Sequence, residues 1–307
     1  MSHVYLMSPS GAVRDKAAFR RGLTRLQALG HQVEVDASAL ASSQRFAGDD
    51  ETRLQALRRA AASGADIVLS SRGGYGLSRL LPRIDYAAIA RAIEGGQQWV
   101  GFSDLTALQT ALLAKTGART WQGPALGEDF GTENEPDEIM AACFDDLCRG
   151  QGEGAGWRLP RRSIVPAGKE CRIRRARLWG GNLSMLCSLV GTPYWPEIDK
   201  GILFLEDVGE HPYRVERMLA HLLHAGVLQR QRAILLGQFS QYRAVPHDKG
   251  YKLATAMQWL RAQLPARVAM IDGLPFGHVP TKVCLPVGAT VDLLLQDSDA
   301  LLLWGGG

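Results

Sequence analysis

The chain has 307 residues, which is enough for two domains of ordinary size or one large domain. Apolar residues make up 46% of it and charged residues 21%, a balance that is typical of globular proteins and excludes intrinsic disorder. The 35 basic and 31 acidic residues leave a formal charge of +4, which is too small and too dispersed to favour nucleic acid or an anionic membrane as a partner.

The apolar runs and the cysteines indicate in which cellular compartment the protein is expected. No stretch approaches the ~20 apolar residues that a bilayer span needs, and the first residues lack the basic segment of a signal peptide. The cysteines, Cys143, Cys148, Cys171, Cys187 and Cys284, are scattered and form no C-x-x-C pair. An odd number of dispersed cysteines suits buried thiols in a reducing compartment. We therefore expect a cytoplasmic protein without a membrane segment.

Strand and helix patterns alternate through residues 1–132. Short apolar runs predict strands at 4–7, 32–35, 65–70 and 99–102, and helical spacing predicts helices at 16–29, 49–63, 77–81, 86–94 and 104–114. The run at 65–70 is apolar on both sides, as in a buried strand of a parallel sheet. Repeated strand–helix units predict an α/β domain whose parallel sheet has helices on both faces.

The composition changes around residue 133. A helix pattern at 137–149 is followed by a glycine run at 150–156, so we take 133–157 as a linker between an N-terminal domain (1–132) and a C-terminal domain (158–307). Alternating basic residues at 158–177 are typical of short antiparallel strands. Further on, the patterns predict helices at 182–189, 213–225 and 249–264 and strands at 201–205, 233–239, 268–271, 283–285, 290–295 and 300–304. The second half is therefore predicted to be mixed α/β.

The first candidate for chemistry is a serine between a predicted strand and a predicted helix. In W-V-G-F-S-D-L, Ser103 follows the strand and the helix begins at Asp104. A serine at such a turn stands at the carboxyl ends of the strands, where helix N–H groups can stabilise negative charge. The pattern differs from G-x-S-x-G because Leu105 occupies the last glycine position. Spacing alone leaves a second interpretation open, in which Ser103 is the helix N-cap.

A glycine-rich loop, S-S-R-G-G-Y-G-L-S at 70–78, follows another buried strand. Its N–H groups could form a nest for a phosphate or an oxyanion hole, or the loop could be a mobile turn. It matches neither G-x-G-x-x-G nor a Walker loop. Arg72 within the loop could pair with a substrate carboxylate or be solvated.

Two titratable residues of the second half stand out. Glu206 ends the apolar strand in L-F-L-E-D, where a carboxylate can orient a histidine, cap the next turn or pair with an arginine. Asp207 and Glu210 compete with it on the same loop. His278 lies in the loop L-P-F-G-H-V-P, where a lone histidine has a catalytic role or none. The histidines show no H-E-x-x-H or similar spacing, so we expect no metal.

The turn W-G-G-N places Trp179 and Asn182 before a predicted helix. Either side chain could line a substrate cleft, although Asn182 also suits the helix N-cap. The alternating arginines at 172–177 suit an acidic ligand or a solvated strand face. Nucleic acid is not expected as a partner, because the sequence shows neither aromatic stacking partners nor a larger basic surface.

In this order, the glycine loop, G-F-S-D, W-G-G-N, L-F-L-E-D and G-H resemble the LD-carboxypeptidase family of serine peptidases, which includes the murein tetrapeptide carboxypeptidases. The resemblance runs over nearly the whole chain. It implies a flavodoxin-like or amidotransferase-like N-terminal domain and a smaller mixed α/β C-terminal domain. By resemblance, the catalytic triad is Ser103, Glu206 and His278, and the N–H groups of Gly74 and Asp104 form the oxyanion hole.

The resemblance also implies a substrate and a setting. The substrate is a cytoplasmic murein peptide in peptidoglycan recycling, and the enzyme cleaves the bond between the L-centre of diaminopimelate or lysine and a terminal D-alanine. It implies a homodimer and neither cofactor nor metal. Arg72, Trp179 and Asn182 are the candidates for binding the substrate. Phe102 stands where the family commonly has tyrosine, which leaves the nucleophile in place.

Two alternatives stay open at this point. A peptidase with the same triad could cleave peptidyl-nucleotides of the microcin C type, and Trp179 would then be a candidate platform for the nucleotide. A non-catalytic protein could instead use the glycine loop to bind a phosphate or a sugar.

Overall fold

The computed structural model describes residues 1–160 and 170–305, within which the chain forms two compact units. The first unit comprises Met1–Gly152, Pro193–Pro196 and Pro280–Gly288, and the second takes the segments between and after them. The first unit therefore extends beyond residue 132 and includes two short segments from the second half of the sequence. Part of the predicted strand region at 158–177, residues 161–169, lies outside the described residues.

The elements alternate along the chain much as the periodicity predicts. The strands are β1 (His3–Met7), β2 (Gln32–Val35), β3 (Ile67–Ser70), β4 (Gln98–Gly101), β5 (Thr120–Gln122), β6 (Gly154–Arg158), β7 (Glu170–Asn182), β8 (Ile202–Val208), β9 (Ala233–Ser240), β10 (Ala269–Asp272), β11 (Leu285–Val287), β12 (Thr290–Gln296) and β13 (Asp299–Leu303). The helices are α1 (Lys16–Ala28), α2 (Asp50–Ala62), α3 (Tyr86–Glu94), α4 (Leu105–Thr116), α5 (Glu138–Arg149), α6 (Leu183–Leu189), α7 (Pro212–His224) and α8 (Leu253–Gln263). Across the described part of the chain, no helix combines the length and apolar content that a membrane crossing requires.

The first unit contains a sheet of order β11-β5-β4-β3-β1-β2. Strands β1 to β5 pair in parallel, in the flavodoxin-like order 2-1-3-4-5, so the predicted parallel sheet is confirmed. The edge strand β11 runs antiparallel to β5, with Leu285 opposite Gln122. Sequence analysis predicted no strand at β5 because its three residues are too few for a periodic pattern.

Helix α4 lies inside the first unit and carries the candidate serine turn at its start. Every residue from Leu105 to Leu113 is buried. A helix that is buried on all sides is packed on all sides, which makes it a firm support for the turn that precedes it. Aspartates cap the other helices of the unit: Asp15, Asp49, Asp85 and Asp137.

The second unit is built on a mixed sheet of order β10-β9-β8-β7-β12-β13-β6. Strands β7 to β10 pair in parallel, and β12, β13 and β6 join antiparallel. Strand β8 is buried from Ile202 to Asp207, as its apolar run predicts. The α/β fold class and the mixed character of the second unit are therefore confirmed.

Candidate active site

Ser103 occupies a strained turn between β4 and α4. Its backbone φ is 61°, in the left-handed region that a residue with a side chain seldom adopts. Such strain persists where the surrounding structure holds it, and a serine at a sharp strand–helix turn is a recurring nucleophile geometry. The N-cap of α4 is Asp104, and its side chain makes no capping hydrogen bond. The interpretation of Ser103 as the helix cap is therefore wrong.

The glycine loop packs directly against Ser103. A Cβ placed on Gly73 would stand 2.6 Å from the Ser103 Cβ and 2.7 Å from its Oγ, and 3.5 Å from the Asp104 backbone nitrogen. Any side chain at Gly73 would therefore collide with the serine. The next residue, Gly74, has a φ of 87°. Across the described residues, the amides of Gly74 and Asp104 donate no backbone or side-chain hydrogen bond, which suits the predicted oxyanion hole.

The Asp104 carboxylate fastens the loop to the serine turn. It is 3% exposed, and its Oδ2 accepts hydrogen bonds from the Ser10 hydroxyl at 2.7 Å and the Leu77 amide at 2.9 Å. Burial raises the pKa of Asp104 to about 6, although these hydrogen bonds act in the opposite direction. The side chain of Asp104 thus ties together the segments that follow β1, β3 and β4.

Arg53 supports the same loop from helix α2, and sequence analysis missed it. Its side chain is fully buried and donates to the Gly76 carbonyl at 2.9 Å, while its other terminal nitrogen pairs with Asp50 at 2.5 Å. A signal was present in the sequence: Arg53 precedes Leu57 and Ala60 by four and seven residues, which places it on the buried face of α2.

Arg72 is anchored rather than solvated. Its Nη1 donates to the Ala12 carbonyl at 3.0 Å, and a Cβ on Gly11 would stand 2.7 Å from that nitrogen. Burial lowers the pKa of Arg72, which nonetheless stays cationic at neutral pH. The guanidinium therefore lies beside the loop after β1.

In the second unit, Glu206 and His278 form a carboxylate–imidazole pair. Glu206 Oε2 lies 2.8 Å from His278 Nδ1, and the glutamate side chain is fully buried while that of the histidine is 12% exposed. Because a carboxylate accepts, Nδ1 carries the proton and Nε2 is the nitrogen that can act as a base. Sequence analysis left Glu206 three roles: orienting a histidine, capping a turn or pairing with an arginine. The structure shows the contact with the histidine.

The backbone next to His278 leaves space for the glutamate and is held by a hydrogen bond. Gly277, which precedes the histidine, has a φ of 136°, and a Cβ there would stand 3.3 Å from Glu206 Oε2. The His278 carbonyl accepts a hydrogen bond from the Ser240 hydroxyl at 3.1 Å. The hydrogen bond from Ser240 therefore fixes the backbone of His278, and the absence of a side chain at Gly277 leaves room for Glu206.

Asn182 and Trp179 have internal roles. Asn182 caps α6 by accepting from the Met185 amide, which confirms the cap interpretation, and its Nδ2 donates to Glu206 at 3.2 Å. The Trp179 indole donates to Gln231 at 3.1 Å. At 5% and 1% exposure, neither side chain is open to a ligand. These contacts correct the prediction that Asn182 and Trp179 bind substrate.

Asp207, the competitor of Glu206, has hydrogen-bond partners other than the histidine. Its Oδ2 accepts from the Ser184 hydroxyl at 2.7 Å and its Oδ1 from Asn182 at 3.0 Å. Burial raises the pKa of Asp207. Over residues 1–160 and 170–305, no group of three or more histidine, cysteine, aspartate or glutamate side chains is arranged to hold a metal ion.

Comparison with known proteins identifies both halves of the chain. The family model described as the LD-carboxypeptidase N-terminal domain matches residues 4–123, and that of the LD-carboxypeptidase C-terminal domain matches residues 175–293. The protein slr1534 of Synechocystis sp., which is named as a carboxypeptidase, is 32% identical over 96% of this chain and 91% of its own length.

The fold is shared with solved structures of other proteins. The crystal structure of muramoyltetrapeptide carboxypeptidase from Oxalobacter formigenes aligns with a TM-score of 0.86 and 35% identity over 99% of both chains. The microcin self immunity protein MccF, in complex with aspartyl sulfamoyl adenosine, aligns with a TM-score of 0.85 over 98% of this chain and 95% of its own. Its 24% identity extends the likeness to the fold alone.

Proposed function

The chain belongs to the LD-carboxypeptidase family of peptidases, and we propose that it is a serine carboxypeptidase that removes the terminal D-alanine from murein tetrapeptides. The observation that carries the serine mechanism is the strained Ser103 turn with Gly73 pressed against it. The 35% identity to a muramoyltetrapeptide carboxypeptidase supports the substrate. In this proposal the cleaved bond joins the L-centre of diaminopimelate or lysine to D-alanine.

The mechanism assigns a role to each side chain. An unassisted serine hydroxyl is a weak nucleophile, so His278 Nε2 takes the Ser103 proton as the oxygen attacks the peptide carbonyl. Glu206 holds the imidazole by Nδ1 and stabilises the imidazolium that forms. His278 then returns the proton to the departing amine of D-alanine. Water, deprotonated by the same imidazole, hydrolyses the acyl-enzyme and frees the serine.

The backbone at the glycine loop stabilises the tetrahedral intermediate. We assign the oxyanion hole to the amides of Gly74 and Asp104, and the loss of one such donor typically costs ~3 kcal/mol of barrier. We assign the terminal carboxylate of the substrate to Arg72, because a guanidinium matches a carboxylate in shape and charge. The side chains of Asp104 and Arg53 have a supporting role, because their hydrogen bonds to the Leu77 amide and the Gly76 carbonyl hold the glycine loop in place.

The alternative substrate, a peptidyl-nucleotide, needs an aromatic platform for its base. The candidate for that platform, Trp179, is 1% exposed. We therefore favour the murein peptide. We further propose that the enzyme works in the cytoplasm on recycled peptides and forms a homodimer; cell fractionation and light scattering test these two points.

The deciding experiment incubates the purified protein with UDP-MurNAc-tetrapeptide and measures released D-alanine. We expect release by the wild type and a loss of several orders of magnitude for Ser103→Ala and His278→Ala, with both variants folded. EDTA should leave the rate unchanged. A wild type that releases no D-alanine contradicts the murein substrate, and a Ser103→Ala variant with the wild-type rate contradicts the serine mechanism.

A further inference from the structure

A fully buried lysine stands behind the serine turn. Lys282 is 1% exposed and lies in the segment Pro280–Gly288, which belongs to the first unit. Lysines are almost never buried to this degree unless they are paired. The segment is fixed on both sides of Lys282: the Thr281 hydroxyl donates to Asp137 at 2.6 Å, and β11 pairs with β5.

The ammonium group has two partners. Its Nζ lies 2.7 Å from Asp129 Oδ1 and 3.8 Å from the centroid of the Phe102 ring. The second carboxylate oxygen of Asp129 accepts from the Ala125 amide at 2.8 Å, so the anion is held as firmly as the cation. A desolvated ammonium over an aromatic face gains a substantial cation–π attraction.

Phe102 connects this pair to the nucleophile, because it immediately precedes Ser103. Its ring is completely buried. On the other side of Phe102, the Gly101 carbonyl accepts from the Gly123 amide at 3.2 Å and from Gln109 at 3.3 Å. The turn is therefore held at Gly101 by hydrogen bonds and at Phe102 by the lysine. A residue at a φ of 61° persists only where its neighbours determine its position in this way.

A contribution to folding stability does not by itself explain why Lys282 and Asp129 form a buried ion pair. Removing two charges from water costs nearly as much as their attraction returns, and an apolar pair of similar volume is often as stable. We propose that Lys282 is a positioning residue whose ammonium, paired with Asp129 and seated on the Phe102 ring, holds the turn that presents Ser103. This inference rests on the proposed function of Ser103 as the nucleophile.

The test separates positioning from stability. Lys282→Met alone leaves the Asp129 charge buried without its partner and is expected to lower the melting temperature. The double variant Lys282→Met/Asp129→Asn removes both charges, and we expect it to melt near the wild-type temperature. Its kcat for D-alanine release should nevertheless fall at least tenfold, with KM within threefold of wild type, because the serine is displaced while substrate binding is kept.

The aromatic partner gives a second pair of variants. Phe102→Leu removes the ring beneath the ammonium and should lower kcat several-fold, whereas Phe102→Tyr keeps the ring and should keep kcat within twofold. Lys115→Met is the matched control, since Lys115 lies over the Tyr194 ring at 5.5 Å on the exposed end of α4. It should have the wild-type kcat.

Labelling of Ser103 by a fluorophosphonate distinguishes the failure of this inference from the failure of the proposed substrate. His278 takes the serine proton as the oxygen forms a bond to phosphorus and fluoride leaves. The labelling rate therefore depends on the nucleophile and its turn, and not on the murein peptide. We expect labelling of the double variant to be at least tenfold slower than that of wild type. A folded double variant with wild-type kcat and labelling rate, or a Phe102→Leu variant with both unchanged, would overturn the positioning role.

Discussion

Substitution of Gly73 by alanine tests the contact between the glycine loop and the nucleophile. The added Cβ would stand 2.6 Å from the Ser103 Cβ, whereas ordinary van der Waals contact begins at 3.4 Å. About 0.8 Å of movement is therefore needed. The loop cannot retreat freely, because the Gly73 carbonyl accepts from the Gly11 amide at 3.3 Å and Arg72 is tied to Ala12.

Either way of relieving the collision damages the site. If the serine moves, its oxygen leaves the attack position; if the loop moves, the Gly74 amide leaves the oxyanion. A displacement of about 1 Å in an active site can cost ~100-fold in rate, which corresponds to about 2.7 kcal/mol of barrier. We therefore expect Gly73→Ala to lower kcat/KM about 100-fold. The overpacking should cost about 1–3 kcal/mol of unfolding free energy.

The assay measures D-alanine release and urea unfolding in parallel. Gly64→Ala is the control: Gly64 has a φ of 66° with open space around its Cβ position, and it lies on a turn after α2. That variant should lose about 1–2 kcal/mol of stability from backbone strain but keep its activity. A folded Gly73→Ala variant with more than half of the wild-type kcat/KM would refute the reasoning.

Three other substitutions probe the groups around the site. Glu206→Gln keeps an acceptor for His278 but removes the charge that stabilises the imidazolium, so kcat should fall ~10–100-fold in the D-alanine assay; an unchanged kcat would contradict the orienting role. Asp104→Asn tests the raised pKa of about 6, which lies above the ordinary value of 3.8. The folded state binds this proton more tightly than the unfolded chain, so the contribution of Asp104 to stability is greatest below pH 4 and is lost as the pH rises through 6, by about 3 kcal/mol. Urea unfolding from pH 4 to 7.5 should therefore decline less steeply with pH in Asp104→Asn than in wild type, and parallel curves would disprove the assignment. Trp179→Phe removes a buried hydrogen bond to Gln231 and should cost about 1–3 kcal/mol in urea unfolding with kcat/KM unchanged, whereas a raised KM would restore Trp179 to the substrate site.

Much of the fold could be predicted because local periodicity reports which faces are buried. The alternation of apolar strands and helices predicted the parallel sheet of the first unit, and only the three-residue β5 was too short to be recognised. The same periodicity placed Ser103 directly after a buried strand. It ended the strand before Glu206 at residue 205, whereas β8 runs to Val208 and includes Glu206. It did not reveal that residues 280–288 belong to the first unit, because strand pairing across a long sequence separation has no local pattern.

The sequence also could not predict which side chains contact each other, because contacts between residues far apart along the chain leave no local pattern. In the sequence, Glu206 had Asp207 and Glu210 as competitors, and the contact that distinguishes it comes from His278, 72 residues further along the chain. The sequence pattern predicted that Trp179 lines a substrate cleft, whereas in the structure its side chain is buried at 1% exposure.

The amino-acid sequence by itself determined where strands and helices form and which polar residues stand at their ends, since both depend on short-range spacing. Only the tertiary structure decided which of those residues meet. Burial, ion pairing and hydrogen bonding join segments that are distant along the chain, as in the buried pair of Lys282 and Asp129 behind the serine turn. These contacts determine whether a polar side chain takes part in chemistry, supports a neighbour that does, or only fills the core.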